Sequence, residues 1–218
     1  KAKELCNDIN AFKDCSAMIK ACDEGLRFNA NSQSLIDSEV GDTVKFGAYE
    51  QYGEVDDIEW IVLDVRKDKL FLISKYIFID EDFDWVIEGD SNIRLGNGRD
   101  VTWETSALRE WLNDEFINIA FSEKEIAMID TVKVTGDENP KYNTDPGDDT
   151  YDKVYLLSIE EANRYFSSDS ERMCGQTITS SPYGFYGNYM RWWLRTPGYV
   201  QSFTAFVDED GNVYEHGY

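Results

Sequence analysis

The chain has 218 residues, 42% hydrophobic and 14% aromatic, which is enough apolar material to bury a full core in one domain or in one domain with an appendage. Its 43 acidic residues against 21 basic ones give a formal net charge of −22, which repels phosphate backbones and anionic membrane leaflets and excludes nucleic acid as the main partner. No run approaches the ~18 apolar residues of a membrane span, so no membrane insertion is expected from this segment. The chain opens at Lys1 rather than Met, and upstream sequence is expected to precede it.

Residues 1–28 read as a helical hairpin, KAKELCNDI and FKDCSAMIKACDEGL around a turn at Asn10 and Ala11, with Gly25 placed where helices stop. Leu5, Ile9, Phe12, Met18, Ile19, Cys22 and Leu26 would share one face. Cys6, Cys15 and Cys22 lie here and Cys174 stands alone; with no Cys-x-x-Cys pair and His216 as the only histidine, zinc is not expected. The three cysteines read as small packing residues, with a Cys6–Cys22 bridge left open. Residues 29–39, polar and rich in Asn and Ser, read as a linker. The main domain is placed at residues 40–218.

Residues 43–47, 58–65 and 70–74 alternate or run in Ile, Val, Leu and aromatics and predict a three-strand meander. Residues 80–100 carry acids and turn residues without a period and read as a loop. Residues 102–121 predict the central helix: Thr105 and Ser106 offer caps, and Leu108, Trp111, Leu112, Phe116 and Ile119 form an apolar stripe opposite Arg109, Glu110, Asn113, Asp114 and Asn118. Ser122 with Glu125, and Ser158 with Glu161, have the spacing of capping boxes and open two further helices, the second over residues 158–166. Strands are expected at 131–135 and 154–157, and loops at 136–152 and 167–189. After a strand from Arg191 to Leu194, residues 202–208 and 212–216 flank Glu209-Asp210-Gly211, a hairpin signal. Short strands, modest helices and long loops describe an α+β domain.

The stretches TWETSALREWLNDEFINIAFSEKE, VYLLSIEEANRYF, RWWLRTPG and AFVDEDGNVYEHGY, in that order, resemble a bacterial domain of unknown function found chiefly in Firmicutes. Its opening pattern stands here as GDTVKFGAYEQ … IEWIVL over residues 41–63. That domain is similar in strand–helix layout to the sulfatase-modifying-factor (formylglycine-generating) and C-type-lectin-like folds, so the resemblance implies such a fold over residues 40–218. It also implies a further strand with a Gly-Val-Arg-Pro-like sequence beyond Tyr218. The formylglycine-generating enzymes use a cysteine pair near the C-terminus; only Cys174 is present here, and their oxidation chemistry is not carried over. FKDCSAMIKAC resembles the end of a tetratricopeptide-like repeat, which implies that residues 1–26 close a longer helical array.

For catalysis, His216 is the only imidazole base and sits near the end of a strand, and Cys174 in RMCGQ would need a positive neighbour such as Arg172 to become nucleophilic. Among 43 acids, no carboxylate pair stands out. No catalytic residue is therefore assigned, and no cofactor is expected beyond calcium. Hard cations take several oxygen ligands, and the candidates are Asp80, Asp82 and Asp84, and Asp145, Asp148 and Asp149; Asp208 and Asp210 are better explained by the hairpin turn. In Arg191-Trp192-Trp193-Leu194-Arg195, strand alternation would put Trp192 and Leu194 on one face and Arg191, Trp193 and Arg195 on the other. That second face, beside Tyr183, Phe185, Tyr186 and Tyr189, offers rings that stack on sugars and guanidinium forks that pair with carboxylates. The ligand-binding candidates are Tyr183, Tyr186, Tyr189, Arg191, Trp193 and Arg195.

The expectation is a non-catalytic binding module recognising a glycan, peptide or protein, appended to a helical repeat in a multidomain protein. The alternatives are a divergent enzyme of the formylglycine-generating fold and a structural spacer. Free cysteines point to a reducing interior and the lectin-like resemblance to the cell surface, so the compartment stays open.

Overall fold

Val44, Phe46 and Ala48 point inward at every second position, and that period of two makes the first strand. In the computed structural model, which describes residues 35–51, 54–77, 100–176 and 189–217, β1 (Thr43–Gln51) pairs antiparallel with β2 (Glu54–Arg66), and β2 with β3 (Lys69–Ser74). This is the expected meander, with longer strands. The helical hairpin at 1–28 and most of the loops at 80–100 and 177–188 lie outside the described residues. Leu35, within the stretch read as linker, packs against the core.

The sheet separates two apolar clusters. On one face Phe46, Ile58 and Trp60 meet Phe116, Ile117, Ala120 and Phe121. On the other, Leu63, Phe71 and Ile73 meet Leu157, Ile159, Ala162, Leu194, Ala205 and Val207. Between Lys45 and Ala48 the register slips by a bulge at Gly47, whose φ is +75° and where a Cβ would meet the Phe121 ring at 2.6 Å. The Gly47 N–H donates instead to Glu125 Oε1 at 3.2 Å.

The central helix differs from its expectation. Residues 102–105 form a turn with Trp103 buried, Ser106 caps by accepting the Arg109 N–H, and α1 (Ala107–Trp111) passes into a π-helical turn (Leu112–Phe116) before α2 (Ile117–Ala120). A π turn inserts one residue and rotates everything after it. The buried stripe therefore runs Leu108, Phe116, Ile117, Ala120, and Ile119, expected inside, is 62% exposed. Asn113, expected on the polar face, fills all four amide bonds: Nδ2 donates to the Arg109 and Val154 carbonyls at 3.0 and 2.8 Å, and Oδ1 accepts the Lys153 and Val154 N–H groups at 2.8 and 3.2 Å.

Both capping boxes form. Ser122 and Glu125 open α3 (Glu123–Ile126), and Ser158 and Glu161 open α4 (Ile159–Tyr165). The strand expected at 131–135 is β5 (Val132–Val134), but its partner β6 (Thr150–Asp152) lies inside the stretch read as loop. Residues 154–157, expected as a strand, join no ladder: Asn113 holds Val154, Arg195 Nη1 donates to the Leu156 carbonyl at 2.9 Å, and among the described residues a lone main-chain bond, from the Arg195 N–H to the Leu157 carbonyl at 2.9 Å, ties the segment to the chain at residue 195. The stretch read as loop over 167–189 contains α5 (Asp169–Arg172) and β7 (Cys174–Gln176), which joins β4 (Tyr76–Ile77) in parallel and β8 (Tyr189–Met190) antiparallel. The last sheet has the order β11 (Val213–Tyr214), β10 (Thr204–Val207), β9 (Trp192–Pro197). The chain is a mixed α+β domain of small, mostly antiparallel sheets.

Candidate functional site

The site grows from the expected Asp-Gly turn. Asp208 Oδ1 accepts the N–H groups of Asp210 and Asn212 at 3.0 and 2.8 Å, and Gly211 takes φ +83°, which reverses the chain. Burial raises the Asp208 carboxyl, but its bonds from Asn212 and Asp210 outweigh that and hold it below the ordinary range. Gly211 is required for space as well: a Cβ there would overlap the Asp169 carbonyl, and Arg172 Nε donates to the Gly211 carbonyl at 2.8 Å. The turn is thus anchored to α5.

This hairpin fixes a cross-strand row. Phe206 stands opposite Tyr214 on β11 and Trp193 on β9. Phe206 stacks on Tyr214 at 5.2 Å between centroids and 16° between planes, and meets Trp193 edge-on at 6.0 Å. Val207, Ala205 and Leu194 belong to the core under the sheet, so the row is on the outer face. Phe206 is 5% exposed only because its neighbours cover it, while Trp193 and Tyr214 are 42% and 51% exposed. The Arg191 guanidinium lies 5.3 Å from the Phe206 centroid, and its Nε donates to Glu209 Oε1 at 3.0 Å. The Arg191 side chain lowers the Glu209 carboxyl, second to a hydrogen bond from the residue's own backbone. Tyr189, on β8, is exposed. Tyr183 and Tyr186 lie outside the described residues.

Arg195 is not on that face. Between Trp193 and Pro197, β9 carries residues that β10 does not match, so alternation breaks and residues 194–197 are all buried. Arg195 turns inward, pairing with Asp137 at 2.6 Å and with Glu161 and donating to the Thr135 carbonyl at 3.2 Å. Its guanidinium lies 5.9 Å from the centroid of Tyr155, whose phenol burial pushes up to about 12. Arg191 and Trp193 therefore share one exposed face, both against Phe206, and Arg195 is part of the buried scaffold instead.

The acidic candidates separate. Asp149 pairs with Lys133 at 2.6 Å and accepts the Gly136 N–H; the Lys133 side-chain hydrogen bond is the main cause that lowers its carboxyl. Asp145 Oδ1 accepts the Gly147 N–H at 3.0 Å. Asp145 and Asp148 line an open cleft of about 560 Å³ with Asp100, Thr102, Glu104, Thr105, Gly147 and Gln201. Among the described residues, no group of three or more His, Cys, Asp or Glu side chains is arranged to hold a metal ion. Asp80, Asp82 and Asp84 lie outside the described residues. The Cys174 thiol is pushed up to about 11 by burial, so it is protonated at neutral pH. His216 stacks on Tyr199 at 3.9 Å.

The profile of DUF6273, a domain of unknown function, matches residues 67–218, well over half of the chain. The chain belongs to the DUF6273 family. No curated protein and no solved structure matches it. The matched part of this DUF6273 domain holds the central helix, both capping boxes and the whole aromatic row; the motif at 41–63, which builds β1 and most of β2, precedes it.

Two members of the row, Phe206 and Tyr214, were not among the sequence candidates. A signal for them existed, because the Asp-Gly turn fixes the hairpin register, and counting outward from it sets Phe206 opposite Tyr214. No helix among the described residues of this DUF6273 domain is long and apolar enough to cross a membrane.

Proposed function

We propose that this DUF6273 domain is a non-catalytic recognition module of C-type-lectin-like, sulfatase-modifying-factor-like fold, carried at the end of a helical array in a bacterial multidomain protein of Firmicutes type. The observation that carries the reading is the pair of exposed rings, Trp193 and Tyr214, held upright on either side of a dry Phe206. Large exposed aromatics in register on a fixed sheet make a rigid contact surface whose ordering entropy is already met by folding. The buried Arg195 network supports the rigidity of β9. The high thiol pKa of Cys174 and the stacking of His216 on Tyr199 favour recognition over nucleophilic catalysis.

The test is thermal unfolding of the domain across a panel of glycans and peptides, with and without millimolar calcium, for the natural sequence and for Trp193→Ala. A ligand that binds only the folded state raises the midpoint. The expected result is a rise for at least one panel member that Trp193→Ala abolishes. Silence across the panel, or a rise that Trp193→Ala leaves unchanged, overturns the reading in favour of a spacer or of a site elsewhere.

A further inference from the structure

We infer that the ligand of the β9–β10–β11 face is a basic, arginine-bearing peptide segment of a partner protein. This rests on the recognition reading above and names the chemistry of its ligand. The face already holds one guanidinium, that of Arg191 over Phe206, with its charge met by Glu209. The side chains of that pair are 57% and 49% exposed, and solvated pairs of this kind are held weakly, so an incoming guanidinium can exchange with Arg191.

The rings beside it are open to the same contact. Trp193 and Tyr214 stand on the two outer strands of the sheet, and among the described residues no cation lies over either ring. Indole is the strongest aromatic partner for a guanidinium, and arginine makes this contact more often than lysine. Charge selects in the same direction. Asp208, Glu209 and Asp210 sit at the turn that ends the row, and the Asp210 carboxylate has no hydrogen bond or ion pair among the described residues. With a chain charge of −22 behind it, this face attracts a basic segment and repels an acidic one. A neutral sugar could stack on the rings and hydrogen-bond a carboxylate through its hydroxyls, but it would gain nothing from the net negative charge that draws a cation.

The test is fluorescence anisotropy of labelled hexa-arginine, hexa-lysine and hexa-glutamate peptides at fixed salt, against the natural sequence, Trp193→Ala, Tyr214→Ala, Arg191→Ala and the cleft variant Glu104→Gln/Asp148→Asn, each checked for folding by near-ultraviolet circular dichroism. Hexa-arginine should bind more tightly than hexa-lysine, and Trp193→Ala should weaken it by about tenfold, the size of a well-placed cation–π contact. Arg191→Ala should tighten binding, because it vacates Phe206 and frees Glu209; the cleft variant should leave it unchanged. No binding of hexa-arginine, equal binding by the natural sequence and by both ring variants, or a loss confined to the cleft variant would each overturn the inference. If a glycan raises the unfolding midpoint in a Trp193-dependent way while hexa-arginine does not bind, this inference falls and the recognition reading stands.

Discussion

Arg191, immediately before β9, and Arg195, within it, are four residues apart and meet opposite environments. Arg195 is enclosed, with two carboxylates and two backbone carbonyls around one guanidinium. Arg191 lies in solvent across an aromatic face with a single exposed carboxylate. The difference comes from the irregular register opposite Ala205, which turns Arg195 to the inside while leaving Trp193 outside. The lesson is that one short stretch of chain can present a fixed interior anchor and a solvent-exposed surface group of the same residue type. Chemistry alone does not separate them; register does.

The strongest way to break this comparison is Arg195→Met. It strands Asp137 and Glu161 without their cation and leaves the Thr135 and Leu156 carbonyls short of a donor, and loss of one partner of such a pair costs about 3 kcal/mol. Urea unfolding should show that loss; a variant as stable as the natural sequence would mean Arg195 anchors nothing.

A smaller effect comes from alkali. The fold holds Cys174 neutral to about 11 against an ordinary 9.0, and Tyr155 neutral to about 12 against an ordinary 10.0. A raised folded value means the unfolded chain loses its proton first, so the stabilisation is complete below pH 9 and declines as pH rises from 9 to 12. Stability curves should fall over that window, less steeply in Cys174→Ser and Tyr155→Phe; identical slopes in both variants would remove these groups from the interior.

The smallest effect sharpens the other side. Arg191→Ala should leave the unfolding midpoint unchanged within measurement error, since an exposed pair adds little. A drop as large as that of Arg195→Met would make the two arginines equivalent and the outer face a structural one.

Much of the scaffold was legible because its signals are local. Ser122 with Glu125 and Ser158 with Glu161 each satisfy one helix start within four residues, and Asp208 to Asn212 closes its own turn. The meander was legible from its period of two. What could not be read depends on distant partners: the Gly47 bulge is answered by Glu125, 78 residues on, and the Asn113 amide is filled by Lys153 and Val154. The inward turn of Arg195 is of the same kind. In the candidate site, Arg191 and Trp193 were visible from composition and alternation. Tyr214 was hidden because a lone Tyr near the end of a chain acquires meaning only once the register with Phe206 is counted.

The wide turn at Leu112–Phe116 bears on how relatives should be compared. A single inserted residue there is absorbed inside the helix, without lengthening a loop or moving either end. Family members that lack it should align with a one-residue gap between positions 112 and 116. With the gap in place, the residue paired with Ala120 should be buried and the one paired with Ile119 exposed, as they are here, whereas an alignment forced through without the gap would pair surface positions with core positions along the second half of the helix.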